Sequence, residues 1–118
     1  MRRPEEFTTA YRGVRARTGR VALFLGSAYA LDTAGLSEAK VGFVVSKKVG
    51  NSVIRHRITR QLRHIMRPLV IDGHIAHGEY LLIQALPGSA GSSSQEFHSD
   101  ITKALEKCRY KQQKRGEE

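Results

Sequence analysis

The sequence predicts an α+β fold, a small mixed β-sheet packed with helices in the order α-β-β-α-β-α. Three observations carry this expectation. Two short stretches alternate apolar side chains with a period of two, Val21, Leu23 and Leu25 in one and Val41, Phe43 and Val45 in the other. Two longer stretches, Ile54 to Leu69 and Phe97 to Cys108, repeat apolar residues at helical spacing instead. The elements also lack the strict strand-helix alternation of a doubly wound sheet. With 118 residues the chain has the size of a single domain, expected to span 1–118.

Taken in order, Pro4 followed by Glu5 and Glu6 suits a helix start, because proline tolerates the first turn and carboxylates favour the positive end of the helix dipole. That helix is expected to reach Arg12 and stop at Gly13. Arg20 to Ala28 and Lys40 to Ser46 read as strands, and the small, polar stretch Asp32 to Ala39 as the loop joining them into an antiparallel pair. Gly50-Asn51-Ser52 breaks the second strand and offers Asn51 or Ser52 as N-cap of a long helix, which Pro68 or Gly73 would end. Tyr80 to Leu86, apolar on both faces, reads as an interior strand closed by Pro87-Gly88. After a Ser/Gly/Ala loop, Ser94 is placed to cap a final helix whose apolar stripe is Phe97, Ile101, Ala104, Leu105 and Cys108. Residues 109–118 are expected to form a frayed basic tail.

Twenty Lys and Arg against eleven Asp and Glu leave a net charge of +9, which on so small a surface implies a polyanionic partner, nucleic acid first. An anionic membrane is disfavoured, since no apolar run approaches the ~20 residues of a spanning helix and no apolar N-terminal run marks export. The protein is expected to be soluble and cytoplasmic. The single cysteine, Cys108, excludes an internal disulfide, and no Cys/His grouping has zinc-ligand spacing.

The charge is concentrated. From Lys40 to Arg67 there are eight Lys or Arg, two His and no Asp or Glu. Advancing about 100° per residue from Ile54, Ile54, Ile58, Leu62, Ile65, Met66 and Leu69 share one face, which packs on the sheet. His56, Arg57, Arg60, Arg63, His64 and Arg67 fall on the opposite arc, and Arg55 lies at the border, directed along the sheet edge. Like charges three and four residues apart repel, and solvated helix faces normally mix signs, as the last helix does with Glu96, Asp100 and Glu106. An unrelieved ridge of arginine therefore reads as a binding surface. Arginine suits bidentate phosphate contacts and stacking on unpaired bases, which fits RNA. Lys47 and Lys48 precede the helix N-terminus, where a phosphate or a hydrated metal ion could be held, although no G-x-x-x-x-G-K-[ST] pattern supports nucleotide hydrolysis.

The run from Val41 to His64, VGFVVSKKVGNSVIRHRITRQLRH, resembles the signature of the bacterial ribonuclease P protein family, S-K-K-x-G-N-A-V-x-R-N-R-x-K-R-x-x-R. Glu6-Phe7, the R-G-V-R around Gly13, the strand ending near Phe24 and the closing Y-L-L-I strand with its helix follow in the family's order, so the resemblance covers nearly the whole chain. It implies a left-handed β-α-β crossover through the arginine helix. It implies the protein subunit of an endoribonuclease that removes the 5′ leader from precursor tRNA, with cleavage and its Mg2+ ions belonging to a catalytic RNA. Carried over by position, Ser46, Lys47, Lys48, Gly50, Asn51, Arg55, His56, Arg57, Arg60, Arg63 and Arg67 would meet that RNA. Phe7, Tyr11, Arg20 and Phe24 would line a cleft for the single-stranded leader, where aromatic rings offer stacking to any base. No catalytic and no metal-binding residue is implied in the protein. His56 stands where the family has asparagine, Thr59 replaces a basic residue, and the segment before the first helix is short.

Other readings have less support. A general RNA-binding module of ribosomal-protein type would account for the basic helix but not for the S-K-K-V-G-N-S-V run. A self-sufficient nuclease needs clustered carboxylates or a His-based acid/base pair, and none lies between Lys40 and Arg67. Asp72, His74, His77 and Glu79 could form a weak metal site, though an ordinary polar loop accounts for them. No helix-turn-helix arrangement points to DNA.

Overall fold

The computed structural model describes residues 10, 11, 13–27, 40–76 and 78–117. Of the expected first helix only Ala10 and Tyr11, both helical, are among them; Pro4 to Thr9, Arg12 and the loop Asp32 to Ala39 lie outside the described residues. The elements are β1 (Val14–Arg17), β2 (Val21–Ser27), β3 (Lys40–Val45), α1 (Ser52–Ile71), β4 (Glu79–Ala85), a 3-10 turn at Pro87–Ser89, and α2 (Ser94–Glu117).

β1 is a strand the sequence reading did not place, so the expected order α-β-β-α-β-α gains a third strand before the arginine helix. Its sequence VRAR does alternate, Val14 and Ala16 buried and Arg15 and Arg17 exposed, but four residues with one small apolar member carry little periodic signal. Gly13 sets its start. A Cβ there would stand 1.8 Å from the Leu25 carbonyl oxygen, so only glycine lets the chain approach β2 this closely.

The sheet order is β1-β2-β4-β3. The expected antiparallel pairing of the second and third strands is corrected: β4 lies between them, antiparallel to β2 and parallel to β3. The reason lies in β4 itself. Tyr80, Leu81, Leu82, Ile83 and Ala85 are all buried, so the strand gains most where both edges and both faces are covered. A parallel neighbour then needs a crossover, and α1 supplies it between β3 and β4.

Register sorts the side chains. Leu25, Leu81 and Val41 align across three strands, as do Leu23, Ile83 and Phe43; this face packs with Ile58, Leu62, Ile65 and Met66 of α1 and Phe97, Ile101, Ala104, Leu105 and Cys108 of α2 in one core cluster. The expected apolar phase of both helices is thus the observed one, and Cys108 is fully buried. The other face carries Arg15, Phe24 and Leu82 in one row and Arg17, Ala22, Gln84 and Val44 in the next.

Of the two expected N-cap candidates, Asn51 and Ser52, Asn51 takes the role: its side chain accepts from the Ile54 N–H at 3.0 Å. α1 runs through Pro68 to Ile71. The proline is exposed, so water can satisfy the carbonyl left without its N–H partner. The helix then closes at Gly73 with φ 83°, where the His74 N–H donates to the Leu69 carbonyl and the Gly73 N–H to Val70. α2 is capped by Ser93, one residue before the expected Ser94: the Ser93 hydroxyl accepts from the Glu96 N–H and the Glu96 carboxylate accepts from the Ser93 N–H, at 3.1 and 3.0 Å. In place of a frayed tail after Arg109, the helix continues to Glu117. Arg109 ties it down by hydrogen bonds to Glu79 and, at 2.7 Å, to the His74 carbonyl.

Candidate nucleic-acid interface

α1 holds its basic side chains clear of the core because the core takes the opposite third of the helix. His56, Arg57, Arg60, Arg63, His64 and Arg67 are all exposed, and no carboxylate among the described residues pairs with any of them. The first turn of α1 contains no acidic residue to offset its dipole. Ser46, Lys47 and Lys48 are exposed in the turn between β3 and α1. That turn is fixed by buried Val49, by the Val49 N–H donating to the Ser46 carbonyl at 3.1 Å, and by Gly50, where a Cβ would meet the Ile54 side chain at 2.9 Å. The exposed lysines thus immediately precede the capped helix N-terminus from which the arginine ridge runs.

Arg55 departs from the ridge, as its position on the projection indicated. It is half-buried beside the β3 edge, in a hollow of 270 Å³ with Phe43, Val45, Ser52, His56 and Thr59. The Thr59 hydroxyl donates to the Arg55 carbonyl at 3.0 Å. Arg55 Nε is buried and has no acceptor among the described residues, which leaves a donor free in a half-enclosed basic hollow.

The open face of the sheet carries the second set. The Tyr11 and Phe24 rings meet edge to face, centroids 4.8 Å apart. Phe24 rests on Tyr80 and Leu82, while Tyr11 is 50% exposed. Lys40 Nζ stands 5.7 Å from the Tyr80 ring centroid, within cation-π range. Beside Phe24 a hollow of 440 Å³ is lined by Arg15, Arg17, Gln84 and Lys111. Phe7 lies outside the described residues.

Arg20, placed with the aromatics by resemblance, is not brought to them. It sits in the turn between β1 and β2, and its guanidinium donates to Glu96, to Asp100 at 3.4 Å and to the Ser92 hydroxyl at 3.1 Å. Two carboxylates on α2 draw it away from Phe24. Arg15 and Arg17 occupy the position instead, and the alternation of VRAR was the signal that could have found them. Ser93's N–H and hydroxyl, followed by the Arg20 charge, hold the Glu96 carboxyl below the usual range.

Among the described residues no three His, Cys, Asp or Glu side chains group closely enough to hold a metal ion. Glu79, considered above with Asp72 and His74, is engaged by Arg109 and by the Ala76 N–H at 2.8 Å.

The family model described as Ribonuclease P matches residues 1–109. The chain belongs to the ribonuclease P protein family. The ribonuclease P protein component of Mycobacterium sp. (strain KMS) is 41% identical over 92% of this chain and 88% of its own length. That of Corynebacterium diphtheriae is 38% identical over 91% and 90%. The Staphylococcus aureus RNase P protein structure matches with a TM-score of 0.73 over 90% of this chain and 91% of that one, at 19% identity. The Thermotoga maritima RNase P protein, solved with 1-(4-fluorophenyl)-2-thiourea, gives 0.70 over 87% and 94%, at 17% identity. These structures share the α+β fold. Membership of the ribonuclease P protein family makes the chain a component of the ribonuclease P complex, an endoribonuclease of tRNA processing, and implies the ribonuclease P RNA as its partner. No helix among the described residues is long and apolar enough to cross a membrane.

Proposed function

We propose that the chain is the subunit through which ribonuclease P RNA gains a grip on precursor tRNA during removal of the 5′ leader. In this reading the RNA partner docks on Ser46, Lys47, Lys48, Asn51 and the arginine ridge of α1, while the single-stranded leader lies on the open sheet face against Tyr11, Phe24, Arg15 and Arg17. The observation that carries it is the one-signed surface of α1: Arg57, Arg60, Arg63 and Arg67 are exposed without a carboxylate partner among the described residues. Such a surface costs folding energy through self-repulsion and is relieved by phosphates. Guanidinium forks bind phosphate oxygens two at a time, which fixes orientation as well as affinity.

The protein's part is binding and positioning. Bond cleavage, and the Mg2+ that supports it, fall to the RNA partner, where phosphate and base oxygens supply the hard ligands that Mg2+ takes. The two surfaces lie on different faces, so one protein can hold the catalytic RNA and the leader together.

Cleavage of a 5′-extended precursor tRNA at low Mg2+ tests this with three mixtures: protein alone, bacterial ribonuclease P RNA alone, and both. Mature 5′ ends forming efficiently only in the third are expected. Tight RNA binding without stimulation would favour a general RNA-binding module, and cleavage by the protein alone would overturn the assignment of catalysis.

A further inference from the structure

A second predominantly basic surface runs along one flank of α2. Lys103, Lys107, Lys111 and Lys114 recur at intervals of three or four and are all exposed, so they share one flank of the helix. Tyr110 stands among them, 65% exposed, and Lys103, Lys107, Tyr110 and Lys111 surround a hollow of 370 Å³ in which Glu106 is the one carboxylate among the described residues. Lys111 brings this flank to the β1 edge. Lys111 Nζ donates to the Arg15 carbonyl, covering part of an edge on which no further strand lies among the described residues. Lys111 also lines the 440 Å³ hollow with Arg15, Arg17 and Phe24. It belongs to the lining of both hollows, which therefore adjoin at Lys111, one beside Phe24 and the other on α2. β1 and β3 are the two edges of the sheet, so this pair of hollows lies across the sheet from the hollow at Arg55.

The residue types differ from those of α1. Lysines are compact charges on flexible stems that follow a backbone without fixing its orientation. An exposed tyrosine offers a face on which any unpaired base can stack, and a duplex has no free base face to give it. We propose that single-stranded RNA leaving the sheet face continues over β1 onto this flank of α2, so that long 5′ leaders gain contacts that short ones lack. The inference rests on the leader-binding reading above. From Lys103 to Lys114 there are eleven rises, about 16 Å at about 1.5 Å each, room for about five stacked nucleotides at about 3.4 Å each.

The test uses holoenzyme reconstituted with ribonuclease P RNA and precursor tRNAs carrying leaders of about 5 and about 15 nucleotides, which bracket the range one single-strand module covers. The variants are Lys103→Gln with Lys107→Gln, and separately Tyr110→Ala, all exposed positions whose folding is checked by circular dichroism. Each variant is expected to weaken binding of the long-leader substrate at least about 5-fold and to leave the short one unchanged. Removing two lysines should also lower the salt dependence, log Kd against log salt, by about 1.4 for the long leader alone. Tyr110→Phe should retain full affinity. Unchanged binding at both lengths, or equal loss at both, overturns this inference while leaving the leader reading intact. A wild-type holoenzyme that does not distinguish leader-bearing from mature tRNA overturns the leader reading and this inference with it.

Discussion

The Tyr11 ring meets Phe24 at an interplanar angle of 64°, with 4.8 Å between centroids. Phe24 is the half of the pair anchored to the sheet, backed by Leu82 in register on β4, and Tyr11 is the half open to solvent. Phe24→Leu keeps an apolar side chain against Leu82 and removes the stacking surface. Precursor tRNA with a leader should bind the holoenzyme about tenfold more weakly, while mature tRNA binds as before. Equilibrium binding of the two RNAs decides it, and equal loss for both would place Phe24 outside the leader path.

On α1, Arg57→Ala and Arg60→Ala should each weaken binding to ribonuclease P RNA and flatten its salt dependence by about one unit of log Kd per log salt. Both side chains are exposed, so the melting temperature should stay the same. Filter binding across a salt series reads the first effect and thermal unfolding the second. Affinity unchanged at matched salt would remove α1 from the interface.

The neighbours of those arginines should behave in the opposite way. Ile58 and Leu62 are 2% and 0% exposed in the core between α1 and the sheet. Ile58→Ala or Leu62→Ala should cost ~2–5 kcal/mol of stability, measured by urea unfolding. A stable Leu62→Ala protein would contradict the packing of α1.

The Arg109–Glu79 pair predicts a pH dependence. Burial alone would raise the Glu79 carboxyl, but the Arg109 hydrogen bond, the Ala76 N–H and the Arg109 charge outweigh it and hold the carboxyl below its usual range. A carboxyl lowered in the folded state adds stability that is present above its unfolded pKa and is lost as the pH falls through the lower folded value. Arg109→Met removes the main opposing interaction and leaves the burial. Its stability deficit relative to wild type should therefore be greatest at neutral pH and shrink on acidification below the usual carboxylate range. Urea midpoints across a pH series test this; a deficit independent of pH would mean Arg109 acts only through packing.

Much of the local structure was legible because it depends on near neighbours. The 3.6-residue spacing of Ile58, Leu62 and Ile65 located the buried face of α1 and therefore its arginine ridge, and Asn51-Ser52 after Gly50 marked the cap to within one residue. Tyr80 to Leu86, apolar on both faces, already read as an interior strand. The continuation of α2 past Arg109 was not legible, because the partner that holds Arg109, Glu79, lies thirty residues away in the chain. The family resemblance puts Arg20 with the aromatics, yet Glu96 and Asp100 from α2 hold it elsewhere.

By itself, then, the sequence determined the α+β class, the phase of both helices and the arginine ridge, because apolar periodicity and capping are set by residues within one or two turns. Only the tertiary structure decided that β4 enters between β2 and β3, that Arg15 and Arg17 join Phe24 on the open face, and that Lys111 reaches the β1 edge. Those relationships depend on which distant segments satisfy each other's hydrogen bonds and apolar faces, and a period of two along one strand carries no information about its neighbour.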